Sequence, residues 1–344
     1  MLTKTVSVQL VTYNSTDDIV DCLKAVLAQD YPLKCIVIVD NNSTDDTIEK
    51  LREASSFVDL MGKPLMAIFR DEEILNIDKK SSEITDLQLF VYQNLCNTGF
   101  AHAHNKAISV TDTDYVLVLN PDLILAKDYV SRLVTRLEEN PLIGSATGKL
   151  LLKADHGLVD STGLRMNRAR RAFDRGAGEP ADQWTQSGPV FGVSGAAAMY
   201  SRRMINDISV DGEFFDADFF AYKEDVDVAW RAEIFGWQGY YDAEAIGYHE
   251  RGWKTSGRNT KPLFIRRISY INRYKMIYKN EPTRTMLKTI FISLPYEIAA
   301  HGYMLLREPQ LITAWKSFFT QLPALKKKRE YIQAAIKERK KHES

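Results

Sequence analysis

The chain has 344 residues, 45% hydrophobic and 26% charged, the make-up of a globular protein with a sizeable core in one large or two ordinary domains. Its 45 Lys and Arg balance 45 Asp and Glu, so a formal net charge of zero excludes a global attraction to nucleic acid and leaves only local electrostatic recognition. The three cysteines, Cys22, Cys35 and Cys96, give neither an even framework nor a C-x-x-C pair, which argues against disulfides and a zinc site and fits a reducing cytoplasm.

The amino terminus opens on a strand pattern without a secretory h-region, and no run of about 18 apolar residues reads as a membrane span. VSVQLV (6–11) is expected to be a buried strand. Asp17 and Asp18 then cap a helix with Ile19, Leu23, Val26 and Leu27 on one face. CIVIVD (35–40) is a second strand, and residues 43–46 start a second helix. FVYQN (90–94), a helix from about Gly99 and YVLVLN (115–120) repeat the pattern. Such alternation predicts an α/β fold with a mostly parallel, Rossmann-like sheet flanked by helices. Residues 55–88 are rich in Asp, Glu, Lys and Ser and read as an insertion. Residues 165–189, with clustered Arg, Gly and Pro, read as an exposed, mobile loop. Order returns at VFGVSGAAAMYSRRMI and at EDVDVAWRAEIFGW, where a helix follows an acidic start. Beyond Pro262 the pattern is helical, with Arg and Lys interleaved.

Ligands of parallel α/β sheets sit beyond the carboxyl ends of the strands. Polar groups fall at four such ends: Thr12-Tyr13-Asn14, Asp40-Asn41-Asn42, residues 94–97, and Asn120-Pro121-Asp122. Any one of them could be only a turn, but four together line an edge. There is no G-x-G-x-x-G after the first strand and no P-loop, so a bound nucleotide needs another source of positive charge. A divalent cation, Mg²⁺ or Mn²⁺, on Asp122 would supply it, with phosphates completing its shell. For Asp227 in EDVDVAWR the simpler reading is an acid favoured by the helix dipole. Asn105 reads equally as a helix-surface amide, and a lone His249 as a structural residue.

In order, TYN, VDNNSTDDT, NTGFAHAHN, LNPDLIL, GAAAMYSRRMI, EDVDVAWR and YHERG resemble the landmarks of the inverting GT-A glycosyltransferases of family 2, most of all the bacterial rhamnosyltransferases. The resemblance spans roughly residues 4–280. It implies a GT-A catalytic domain over 1–260 and a helical carboxy-terminal region over 261–344. NPD stands where many relatives carry D-x-D, which leaves Asp122 as that motif's sole carboxylate for the metal. The resemblance further implies that Thr12 and Asp40 hold the nucleotide base and that Asn97 and Gly99 lie against the nucleotide-sugar, with Asn105 behind them. Tyr13, Asn14, Asn42, Phe100 and Asn120 belong to the same donor site. Asp225 would be the general base, Glu224 and Trp253 would face the acceptor, and His249 would sit on the metal or the diphosphate.

The implied reaction moves L-rhamnose from dTDP-rhamnose, with inversion, onto a saccharide hydroxyl, lipid-linked in many relatives, during cell-surface polysaccharide assembly. Alternatives are a UDP-hexose donor, a sugar nucleotidyltransferase, or a non-enzymatic carbohydrate-binding protein. The terminal KKKREYIQAAIKERKKHES carries eight Lys and Arg against three Glu. With the aromatic residues before it, this favours attachment to the inner face of an anionic membrane over packing on the core or on a second copy in a homo-oligomer.

Overall fold

In this computed structural model residues 3–56, 65–71, 87–250 and 261–343 are described; Trp253 lies outside them. Five strands form the parallel core: β1 (Val6–Thr12), β2 (Cys35–Asp40), β3 (Leu65–Asp71), β4 (Leu87–Gln93) and β5 (Tyr115–Leu119), in the order β3, β4, β2, β1, β5. They are connected through α1 (Ile19–Leu27), α2 (Thr47–Ser56) and α3 (Gly99–Ser109). Both faces of this core are covered. On β2, Ile36 and Ile38 pack with α1, while Val37 and Val39 pack with Ala103 and Ala107 of α3. A strand buried on both faces needs an unbroken apolar run, which is why CIVIVD shows no alternation.

The second half adds β6 (Leu123–Leu125), α4 (Tyr129–Glu139), β7 (Ile143–Leu152), β8 (Asp155–Ser161), β9 (Leu164–Met166) and β10 (Ala172–Asp174). It continues through β11 (Gly188–Val190), β12 (Ala197–Ser201), α5 (Arg202–Ile208), α6 (Glu224–Ile234) and β13 (Gln238–His249). β12 enters antiparallel between β5 and β7, and β13 runs parallel to β7, so the sheet becomes mixed on this side. Three long helices, α7 (Leu263–Asn280), α8 (Thr283–Arg307) and α9 (Ala314–Glu343), form the carboxy-terminal region. Among the described residues no helix is long and apolar enough to cross a membrane.

The structure departs from the sequence expectations at five places. The stretch read as an insertion contributes β3, the edge strand beside β4. Residues 165–189 contain the antiparallel hairpin β9–β10. Arginine stacking and ion pairing hold the hairpin: Arg170 lies 4.6 Å from the Trp230 ring centroid and bonds Glu281 at 2.6 Å. Asp18 precedes α1 but its side chain caps nothing; the carbonyl of Ser15 accepts from the Ile19 amide instead. Asp227 is not a solvated dipole acid but is fully buried. It accepts from Arg231 at 2.9 Å and Asn280 at 2.7 Å, and lies 2.8 Å from Lys279. Part of the basic terminal run is held against the core. Lys328 bonds Asp216 at 2.5 Å and Asp218 at 2.9 Å, Lys327 pairs with Asp211, and Arg329 donates to the carbonyls of Tyr278 and Glu281.

Lys279 also bonds Asp216, so Asp216, Asp227, Arg231, Lys279 and Lys328 form one buried network joining α6, α7, α9 and the segment before α6. Burial alone would raise the carboxyl pKa of Asp216, but the charges and hydrogen bonds of Lys279 and Lys328 outweigh it and hold the group well below the usual carboxylate range. The stability this contributes is fully present above the ordinary carboxylate pKa and is lost as pH falls toward the depressed one. Removing one partner of such a network strands the others in a dry interior. Asp227→Asn should therefore lower the unfolding free energy by about 3–5 kcal/mol. Urea denaturation checks this, and an unchanged midpoint would refute it.

Candidate active site

A cleft of about 520 Å³ opens at the carboxyl ends of β1, β2 and β5 and reaches the start of α6. Of the residues expected in a donor site it is lined by Tyr13, Asn97, Gly99, Phe100 and Asn120, together with Asp122, His249, Glu224 and Asp225. Residues separated by more than two hundred positions are thus brought into one cavity.

Thr12, Asn14, Asp40, Asn42 and Asn105 are not on its wall. Thr12 donates to Asp40 Oδ1 at 2.8 Å, and Ser43 gives Asp40 both its hydroxyl, at 2.5 Å, and its amide, at 2.9 Å. Asp40 is buried and already holds three hydrogen bonds, so it shapes the loop after β2 from beneath. Asn14, in the left-handed region at φ 53°, accepts from the Thr44 amide at 2.8 Å and joins the loops after β1 and β2. Asn42, also left-handed at φ 63°, points outward, and its neighbour Asn41 takes the cleft position. Asn41 Nδ2 donates to the Gly99 carbonyl, while its Oδ1 accepts from Asn94 and Thr98, so one amide holds the ends of β2 and β4 and the start of α3. Asn105 is not a free surface amide. It accepts from the Phe215 amide at 2.9 Å and donates to its carbonyl at 2.6 Å, imitating a strand partner.

Gly99 has no substitute. Its φ is +83°, and an added Cβ would lie 2.4 Å from the Phe220 carbonyl. Its amide is taken by the Asn97 side chain at 2.9 Å.

Asp122 and His249 meet in the cleft, with Oδ1 3.2 Å from Nε2. On the far side of the ring, the buried Asp160 bonds Nδ1 at 2.8 Å. A carboxylate behind an imidazole fixes its orientation, a recurrent arrangement where the other nitrogen ligates a metal. Burial disfavours the imidazolium, but the hydrogen bonds and charges of Asp122 and Asp160 prevail and push His249 up to about 9. Asp122 Oδ1 is buried and has the imidazole as its near polar partner. A buried carboxylate oxygen facing an oriented imidazole nitrogen fits a divalent cation, which would replace the proton the imidazole otherwise holds toward Asp122. Among the described residues no third His, Cys, Asp or Glu completes a cluster, so the remaining ligands would be water or substrate oxygens.

The opposite wall is a strained segment. Phe220, Tyr222 and Lys223 have φ of 63°, 69° and 78°, conformations costly for residues with a Cβ. Asn272 of α7 holds them by donating to the carbonyls of Phe219, Ala221 and Tyr222 at 2.8–2.9 Å. Immediately after this segment, Asp225 accepts from the amides of Gly195 at 3.3 Å and Val226 at 2.7 Å. Burial raises its carboxyl pKa, against the lowering effect of Lys223. Glu224, buried with Oε2 unpartnered, is raised by burial and then by the charge of Asp225. Lys223, Phe220, Tyr222 and Gly195 escaped the sequence reading. Lys223 adjoins the acidic motif, but nothing in the sequence marks its backbone as left-handed.

Residues 7–209, more than half of the chain, match the family described as Glycosyl transferase family 2. The chain is 24% identical over 240 residues to poly-beta-1,6-N-acetyl-D-glucosamine synthase of Staphylococcus aureus, covering 69% of this chain and 48% of that one. To the Staphylococcus epidermidis enzyme of the same name it is 22% identical over 241 residues, covering 70% and 48%. It thus spans about half the length of these curated relatives. Among solved structures it is similar to the mannosyltransferase PcManGT from Pyrobaculum calidifontis in complex with GDP-Man and Mn²⁺ (TM-score 0.52, 18% identity, 94% of this chain and 76% of that one). It is also similar to S. aureus TarS 1-349 in complex with UDP (TM-score 0.53, 15% identity, 98% and 92%). At these identities the structural likeness shows a GT-A-like fold, and the family match over residues 7–209 completes the assignment: the chain is a member of glycosyl transferase family 2.

Proposed function

We propose that the chain is an inverting glycosyltransferase that moves a sugar from a nucleoside diphosphate onto a saccharide hydroxyl in polysaccharide assembly. The observation that carries this reading is the convergence of the Asp122–His249 pair and the buried Asp225 on one cleft. A UDP-sugar is favoured over dTDP-rhamnose, because UDP is the ligand of the TarS complex and the named relatives are N-acetylglucosamine polymer synthases. The base stacks on Tyr13, which is 51% exposed at the cleft wall, while Thr12, Asp40 and Ser43 hold the loop that frames it.

A divalent cation on Asp122 and His249, Mg²⁺ or Mn²⁺, would supply positive charge against the departing diphosphate. Asp225 accepts the proton of the acceptor hydroxyl as its oxygen bonds C1 and the C1–O bond to the diphosphate breaks on the opposite face. Glu224, whose pKa is raised by burial and by the charge of Asp225, holds its proton more readily than an ordinary glutamate and can then donate a hydrogen bond that orients the acceptor.

Asp225→Asn should lower transfer by about 10²–10⁴-fold while leaving UDP affinity intact, since only the base is lost. In the wild type the base works only when deprotonated and its pKa is raised. Transfer should therefore decline as pH falls through a range above that of an ordinary aspartate. A variant with near-normal turnover would remove Asp225 from this role.

Asp122→Asn should abolish the Mn²⁺-dependent part of UDP binding measured by calorimetry. Equal affinity with and without metal in both proteins would refute the metal assignment.

A membrane-facing role is also proposed, through α8. Leu287, Phe291, Leu294, Ile298 and Leu305 fall on one side of that helix and are exposed, and Arg284 and Lys288 border that side near its amino-terminal end. An apolar stripe bordered by cations suits an anionic lipid interface. The double variant Leu287→Asp, Phe291→Asp should lose co-sedimentation with anionic liposomes. Unchanged sedimentation, or a fall in oligomer size instead, would count against the membrane.

A further inference from the structure

A second cleft, of about 470 Å³, lies between the β9–β10 hairpin and helices α7 and α8. It is continuous with the first, because Ala172, Phe173, Lys223 and Ser269 line both. Four cations face it, Arg170, Arg171, Lys223 and Arg273, against one carboxylate, Glu308. Two of these cations are neutralised in place: Arg170 by Glu281 at 2.6 Å and Arg273 by Glu297 at 2.6 Å.

Arg171 and Lys223 are different. Among the described residues neither has a carboxylate within ion-pair distance, and the carboxyls whose field Lys223 feels, Glu224 and Asp225, belong to the first cleft. The Arg171 guanidinium lies 4.2 Å from the Tyr296 ring centroid and 4.9 Å from that of Phe173. Stacking of this kind holds a guanidinium by its faces and leaves its in-plane N–H donors for a planar or tetrahedral anion. Lys223 stands where the two clefts meet, directly before Glu224 and Asp225, so an anion on this pair would lie on the acceptor side of the base. The donor diphosphate belongs with Asp122 and His249, elsewhere in the first cleft.

We infer that the second cleft is an acceptor subsite for a phosphate ester carried by the saccharide, bound by Arg171 and Lys223. This rests on the reading of the first cleft as a donor site and goes beyond it by naming the acceptor's chemistry. The phosphate could be soluble or borne on a lipid, whose chain would leave along α8, the wall that carries the exposed apolar stripe.

The test uses the full chain with UDP and Mn²⁺ present to fill the donor cleft, and titrates four probes by calorimetry. Glucose 1-phosphate is compared with glucose, and dodecyl phosphate, below its micelle concentration, with dodecyl maltoside. At least one phosphate probe should bind about tenfold more tightly than its neutral counterpart, as expected for one charge-assisted contact. Arg171→Gln should remove that preference, Arg171→Lys should keep part of it, and UDP affinity should be unchanged in both. Binding of dodecyl phosphate alone supports the subsite with a lipid-borne phosphate, and binding of glucose 1-phosphate supports it with a soluble one. Phosphate probes no tighter than the neutral ones, or an Arg171→Gln protein that still prefers them, overturn the inference. A wild-type chain that fails to bind UDP at all in a separate titration strikes the donor-site reading instead.

Discussion

The buried charges around Asp216 and Asp227 are the constraint on which the rest of the site depends. Three acids open α6, and three negative charges in its first turn would repel one another in a desolvated setting. Asp227 is neutralised by Arg231 and Lys279, so the charge problem is confined to Glu224 and Asp225, the two that face the cleft. The same network docks α7, and α7 supplies Asn272, whose one amide group holds three carbonyls of the left-handed segment before α6. Charge pairing deep in the molecule thus sets both the pKa environment and the backbone of the cleft wall at Glu224 and Asp225.

Much of the parallel core was legible because β2, β4 and β5 are short apolar runs ending in polar tripeptides, and their ends do converge. Asp122 was legible as the acid at the end of β5, while Asn97, Gly99 and Asp225 were singled out through the family resemblance; all four line one cleft. What escaped was long-range or conformational. Asp160 meets His249 across 89 positions, and nothing local announces it. Asn105 looked like a surface amide because periodicity does not reveal the backbone of Phe215, 110 residues away. The hairpin at 164–174 looked like a mobile loop because its stabilising partners, Trp230, Glu281 and Tyr296, are all distant. The basic terminus looked free because its carboxylate partners lie more than a hundred residues upstream.

The two walls of the cleft are built by different means. The wall at the strand ends rests on amide clasps, where Asn41 and Asn14 link loops that the parallel sheet has already brought close. The wall at Glu224 and Asp225 is imposed from outside the sheet by α7 and α9.

The bond between Lys328 and Asp216 spans 112 residues of chain. Synthesis proceeds from the amino end at about 5–20 residues per second. Lys279 and then Lys328 are therefore still unmade or inside the exit tunnel when the strands of the sheet are already outside. During that interval the acids of α6 lack their counter-charges and the left-handed segment lacks its clamp. The wall before α6 can take its final form only after the last helices have emerged.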